Sequence, residues 1–266
     1  MTADLLAVDD VTVAFGGLRA LDAVSLRVPE NTIVGLIGPN GAGKTTLFNS
    51  VSGLVRPASG RVVLFGEDVT TWPVHRRARV GVGRTFQRLE LFGSLSVLEN
   101  LVVAYETHQA RGGLWSDLLA LPPTVDTRAD AEERAHGVLE QLGIEQYAES
   151  RAGDLPVGLA RLVELGRSLC TDPKLLILDE PSSGLREAES ERLADLLRHA
   201  RDVDGISALV VEHNMRFVLG LCEYIYVLDF GRILAEGTPD DVRADPQVRA
   251  AYLGEGIDSN VGAARA

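Results

Sequence analysis

Cysteine is nearly missing from this chain of 266 residues: Cys170 and Cys222 are present, each inside an apolar run and neither in a CxxC spacing. That argues against a disulfide framework or a structural zinc site, and both residues are expected in the core. Lysine is equally scarce, confined to Lys44 and Lys174, the rest of the 26 basic residues being arginine. The 38 acidic residues outweigh them and set the net charge at -12, so no broad electropositive face is available and no nucleic-acid partner is expected. Any phosphate must be held locally. No apolar stretch approaches the ~18 residues of a membrane span, and MTADLLAVDDVTVAF carries acids where a secretory signal carries bases. The expected place is the cytosol or the inner face of a membrane, as a peripheral protein. Aromatics make up 5% against 45% hydrophobic residues, which suits an α/β protein built from Val, Leu, Ala and Ile.

What is present is an alternation of short elements. Residues 4–15 and 22–29 alternate apolar and polar about Gly16, Gly17 and Asp22, the pattern of paired antiparallel strands. The continuous apolar run Thr32 to Ile37 reads as a buried strand, followed by a glycine-rich turn and a helix from about Gly43 to Leu54. Further strands are expected at Val62–Phe65, Gly81–Phe86, Leu175–Leu178, Ala208–Val211 and Tyr224–Leu228, with helices between the later ones, which implies a largely parallel sheet. Between Arg88 and Pro156 the apolar residues fall at helical spacing, as in Leu98, Leu101, Val102 and Tyr105, or Val138, Leu139 and Leu142. This stretch reads as an inserted helical lobe, with a loop over Gly112–Asp130, where Gly112-Gly113 and Pro122-Pro123 occur. No internal repeat is visible.

Gly38-Pro39-Asn40-Gly41-Ala42-Gly43-Lys44-Thr45-Thr46 matches GxxxxGK[ST] and lies between a predicted strand and a predicted helix. The glycines let successive backbone N–H groups point at phosphate oxygens, and the helix N-terminus adds its positive dipole end. Lys44 supplies a compact cation for the β- and γ-phosphates of a nucleotide, and the Thr45 hydroxyl is placed to ligate Mg²⁺.

The apolar strand Leu175–Leu178 ends in Asp179 and Glu180. Two adjacent acids at the C-terminal edge of a sheet, where α/β ligands sit, need a reason, because unpaired buried charge costs several kcal/mol. Asp179 is read as a direct or indirect Mg²⁺ partner and Glu180 as the base that orients or deprotonates an attacking water. The bland alternative is that both cap the next helix beside Ser182 and Ser183.

These motifs, with Gly83-Arg84-Thr85-Phe86-Gln87, Leu95 to Leu101, Val211-Glu212-His213-Asn214-Met215, Gly237-Thr238-Pro239 and Ala251 to Glu255, resemble the ATP-binding subunit of an ATP-binding-cassette (ABC) transporter over nearly the whole chain. More narrowly the chain resembles the ATPases of branched-chain amino-acid importers. The resemblance implies a RecA-like P-loop NTPase core over about 1–88 and 157–255, with an antiparallel β subdomain. It also implies an inserted helical subdomain over about 89–156 and a flexible tail at 256–266. It implies ATP and Mg²⁺ as ligands, a dimer with ATP between two subunits, transmembrane permease subunits and an extracytoplasmic solute-binding protein. Residue by residue, it implies that Phe15 stacks on adenine, that Gln87 senses Mg²⁺ and water and flexes with the permease, and that His213 contacts the γ-phosphate. A permease helix would enter a groove near Leu91 to Leu101; the apolar Leu91, Phe92 and Leu95 could equally be core. His75, His108, His136 and His199 are read as surface residues.

The chain departs from the family at the signature segment, usually LSGGQ, which here reads Leu155-Pro156-Val157-Gly158-Leu159. In the family this segment opens a helix facing the γ-phosphate held by the other subunit. Pro156 brings neither hydroxyl nor N–H, although proline suits a first helical turn, whereas Gly158 and the helix dipole remain. The loop after Glu180 ends at Arg186 where the family more often has Asp. Both departures favour pairing with a different ATPase that carries an intact signature. The competing class is a cassette protein of translation or DNA repair, whose usual second cassette, coiled coil or zinc module is not visible in this sequence.

Overall fold

The computed structural model describes residues 4–85, 89–109 and 125–252. Alternation, reset by an irregularity between Val8 and Val11 where Asp10 has φ 49°, puts Leu6, Val8, Val11 and Val13 in one buried core under strand β1 (Asp4–Phe15), which turns at Gly16-Gly17 into the antiparallel β2 (Leu18–Pro29). Strands β4 (Ser59–Leu64) and β5 (Glu67–Asp68) complete a sheet of order β2-β1-β4-β5. A second sheet has the order β10-β9-β3-β8-β7-β6. It comprises β3 (Ile33–Ile37), β6 (Val82–Arg84), β7 (Leu175–Asp179), β8 (Ser207–Val211), β9 (Tyr224–Asp229) and β10 (Arg232–Gly237). Its pairs are parallel except β9–β10. Every residue of β3, β7 and β8 is buried, which is why these strands read as unbroken apolar runs.

Helix α1 (Lys44–Ser52) lies between the two sheets: Leu47, Phe48 and Val51 share one apolar core with Leu6 and Val8 of the first sheet and Leu36 and Leu209 of the second. The following helices are α2 (Val74–Arg79), α3 (Val97–Gln109), α4 (Val125–Leu142), α5 (Val157–Leu169), α6 (Glu187–Asp202), α7 (Met215–Leu221), α8 (Pro239–Ala244) and α9 (Pro246–Tyr252). A second core joins α3, α4 and α5 through Leu101, Val138, Leu142 and Leu165, and runs on under α6 and α7 to Leu178 and Val210. Cys170 and Cys222 are free and buried in that core, and burial pushes the Cys170 thiol up to about 12.

Several sequence expectations are corrected. Helix α4 already begins at Val125, inside the stretch read as loop through Asp130. The Gly and Pro pairs precede the helix, and its polar opening lacks the apolar periodicity that betrays a helix. The strand expected to reach Phe86 ends at Arg84, and Phe86 lies outside the described residues. Edge strand β10 was not expected, because its residues are mostly half-exposed and carry no clean alternation. His108 is half-buried, not on the surface, whereas His75, His136 and His199 are exposed. The flexible tail expected at 256–266 falls outside the described residues.

Candidate active site

The chain leaves β3 at Ile37 and folds back over itself before α1 starts at Lys44. Two glycines are required there. A Cβ on Gly38 would come 2.1 Å from the Leu228 carbonyl, and Gly43, at φ 109°, would set one 2.6 Å from the Ala20 carbonyl. The loop is therefore pressed between β2 and β9, and only bare backbone fits. Ala42 is buried; its N–H donates to Pro39 O at 3.1 Å and its carbonyl accepts from Gly231 N–H at 2.8 Å. The Lys44 ammonium is buried and donates to Gly38 O at 2.6 Å and Pro39 O at 3.1 Å, so it curls over the loop's own concave side. Asn40, Gly41 and Thr45 are exposed, Pro39 and Thr46 half-buried. This is a pocket of N–H groups, one cation and a helix N-terminus, and it suits a polyanion. Phe15, 54% exposed at the end of β1, offers an open aromatic face.

The far end of α1 is held by a residue that the sequence reading passed over. Arg77 of α2, 1% exposed, donates to Ser50 O at 2.8 Å and Val51 O at 2.6 Å, carbonyls of the last helical turn, and to Trp72 O and Thr70 O. Burial pulls its guanidinium down to about 10.

Asp179 ends β7, 5% exposed. Burial, first, and the neighbouring Glu180 and Glu212 push its carboxyl above the ordinary value, while Arg84 and Lys44 oppose them. Glu180 follows in a left-handed conformation, φ 48°, with its N–H fixed to Val211 O at 2.8 Å. A non-glycine residue there costs on the order of 1–3 kcal/mol. The chain leaves the end of β7 at this residue. Neither acid caps the next helix: the N-cap of α6 is Arg186, which disposes of the bland alternative.

His213 stands just beyond β8, and its Nδ1 lies 3.8 Å from Glu180 Oε1. Next to His213 in the chain is Glu212, fully buried, whose carboxylate accepts from the backbone N–H groups of Ser182 at 2.8 Å, His213 at 3.1 Å and Asn214 at 3.3 Å. Sequence reasoning used Glu212 as part of a motif and gave it no role, although an acid directly after an all-apolar strand was the available signal. Arg84 is a second such residue: it donates to Ser52 Oγ at 2.8 Å and Asn49 Oδ1 at 3.3 Å, and its guanidinium lies 4.6 Å from the Phe48 ring centroid.

The remaining candidates lie apart from the phosphate loop in sequence. Pro156 is the N-cap of α5, one place before the turn in which it was expected, with no side-chain cap bond, and Val157 is 48% exposed. Leu155 packs half-buried against the helical core. A Cβ on Gly158 would sit 2.5 Å from Glu189 Oε1, so its smallness also serves a contact within the chain. Glu189 Oε2 accepts the Arg186 N–H at 2.8 Å. Gln87 lies outside the described residues. Phe92 is 46% exposed, its backbone pinned in both directions by the side chain of Asn100 at 2.9 and 3.1 Å, with Arg167 5.0 Å from its ring centroid. Leu91 and Leu95 are half-buried.

Residues 21–183 match the family model described as ABC transporter, and residues 232–258 match that of the branched-chain amino acid ATP-binding cassette transporter. The chain is 42% identical over 255 residues to the high-affinity branched-chain amino acid transport ATP-binding protein LivG of Salmonella typhimurium, covering 96% of this chain and 100% of the relative. With the corresponding protein BraF of Pseudomonas aeruginosa it shares 39% over the same length, 96% of this chain and 100% of the relative. A crystal structure of the ADP conformation of an ATP-binding cassette from an ABC transporter superposes with TM-score 0.83 at 31% identity, covering 96% of this chain and 100% of that one.

Proposed function

The chain belongs to the ABC transporter family as an ATP-binding and ATP-hydrolysing subunit, and we propose that its turnover drives uptake of branched-chain amino acids or related small solutes through a membrane permease. The single observation that carries the mechanism is the approach of His213 to Glu180 at the C-terminal ends of adjacent strands β8 and β7. Strand β3, whose end opens the phosphate loop, pairs with β8 on its other side. An α/β sheet binds its ligand at this edge.

In this reading the loop from Gly38 to Thr46 wraps the phosphates and Phe15 stacks on the base. Lys44 exchanges its carbonyl partners for phosphate oxygens, a gain because the neutral acceptors are replaced by anionic ones. Glu180 orients or deprotonates the attacking water, and His213 holds the γ-phosphate, both placed where charge develops. The donor set fits Mg²⁺: the Thr45 hydroxyl and the Asp179 carboxylate are hard oxygen ligands, and Asp179 is buried beside other carboxylates whose mutual repulsion a cation relieves. When bound, the cation would neutralise phosphate charge. Gln87 would complete that set and report permease movement.

The permease would seat against the half-exposed Phe92, on the helical lobe spanning about 89–156 that is inserted into the core at about 1–88 and 157–255. The working unit is a dimer at the cytoplasmic face of the membrane, peripherally bound, served by an extracytoplasmic solute-binding protein. Among the described residues no helix is long and apolar enough to cross a membrane. We favour a heterodimer, because Pro156 at the head of α5 carries no hydroxyl for the γ-phosphate held opposite it. Tagged chain drawn from its native membranes should bring down a polytopic permease and a second, distinct ATPase. Recovery with ribosomal or DNA-repair proteins and no membrane subunit would overturn the transport reading.

A further inference from the structure

Glu212 is placed in an unusual position for a carboxylate. It is 0% exposed, stands within the field of Asp179, and its oxygens are consumed by three backbone donors on two separate loops. Oε1 takes the N–H of Ser182, two residues beyond Glu180; Oε2 takes those of His213 and Asn214. A further tie runs the same way, from Glu180 N–H to Val211 O. The loop bearing Glu180 is thus fastened to the loop bearing His213 from both sides, and the Glu212 carboxylate is the shared peg.

The charge is the informative part. Three N–H donors converging on one side chain need an acceptor with lone pairs on both oxygens and no hydrogen of its own. A glutamine of the same shape would turn its NH₂ toward at least one of those donors. Burying a third carboxylate beside Asp179 and Glu180 is otherwise unfavourable, so a residue whose only task was to fill space would be apolar.

We propose that Glu212 is a positioning residue for ATP hydrolysis, its buried carboxylate fixing the Glu180 loop to the His213 loop so that the two side chains close on the terminal phosphate in a set relation. The proposal rests on the assignment of Glu180 as base and His213 as phosphate contact. A displacement of about 1 Å in such a pair costs on the order of 100-fold in rate.

The test uses the full chain with fluorescent-nucleotide titration, steady-state turnover and melting in parallel. Glu212→Gln should keep ATP affinity within about 2-fold and lower kcat by ~10²-fold. Added to His213→Ala, the same change should cost much less than it does alone, because the group that it positions is gone. A folded Glu212→Gln variant with parental kcat, or one whose cost is undiminished in the His213→Ala background, overturns the proposal. If Glu212→Gln does not fold, amide exchange in the parent and in Glu212→Asp decides instead. The Ser182, His213 and Asn214 amides should be protected together and released together, and independent behaviour overturns the proposal. Glu180→Gln is run alongside. Should it retain turnover, the underlying assignment fails; should it be dead while Glu212→Gln is fully active, only the role of Glu212 fails.

Discussion

His213 and Glu180 meet at 3.8 Å although 33 positions of chain separate them, because parallel strands β7 and β8 end at the same level of the sheet, with Asp179 opposite Val211. Each side chain leaves its strand at the edge where the phosphate loop also opens.

Glu180→Gln keeps the shape of the site and removes the base. Turnover is expected to fall ~10²–10⁴-fold with ATP affinity retained. Phosphate release and nucleotide titration on one preparation give both numbers, and retained turnover would refute the assignment. Lys44→Ala should do the reverse first, weakening nucleotide binding by about 1.5–3 kcal/mol for a lost charge-assisted bond, roughly 10- to 150-fold in Kd.

Asp179 gives a pH dependence of unusual sign. Burial, with Glu180 beside it, holds its carboxyl above the ordinary 3.8, so the folded chain keeps a proton that the unfolded chain has released. The contribution of this group to stability therefore falls as pH rises from 3.8 through the folded-state value. Asp179→Asn should melt above the parent at pH 7 without nucleotide, the gap closing toward acid, and should lose ATP turnover. A variant that melts lower than the parent by the same amount at every pH would sink this account.

Restoring the missing hydroxyl tests the asymmetry of the dimer. Pro156→Ser should raise ATP-dependent self-association of the isolated chain by at least about 10-fold, the worth of one hydrogen bond to a charged group. Sedimentation with and without ATP reads it. If the parent already forms a fully active homodimer, the preference for a different partner subunit is wrong.

Arg77 carries a purely structural prediction. Removing it orphans the Val51 carbonyl at the end of α1 and leaves the Ser50 carbonyl with the Gly53 N–H alone, at a cost of about 1–3 kcal/mol. Arg77→Ala should thus lose roughly 2 kcal/mol, a fall of about 4–8 °C in melting temperature for a chain of this size. Arg77→Lys should recover only part of it, since an ammonium cannot reach four carbonyls arranged around a planar fork.

The phosphate loop, the acid pair and the buried strands were legible because each is a local pattern: glycines at fixed spacing, carboxylates closing an apolar run. Lys44 stood out against a background of arginine. Other features are written across the chain and leave no local trace. Nothing in the hexapeptide of α2 announces that Arg77 will serve the end of α1, and nothing near Glu212 announces Ser182 as its partner. Pro156 stands out in the sequence against the usual signature, but its place at the cap, outside the first turn, follows from the backbone path. The start of α4 was misplaced for a related reason: an exposed helical turn obeys no apolar rhythm.

The hairpin between β9 and β10 lies far from the phosphate loop in sequence, yet Gly231 gives its N–H to Ala42 and its carbonyl to the N–H of Asp22, and Arg232 grips the carboxylate of Asp22. The segment matching the transport-specific family model begins at that same arginine. The carboxy-terminal region therefore works as a latch on the nucleotide cradle: a protease cut or a shortened gene product ending before this hairpin would leave the cradle's sequence complete and its floor unsupported.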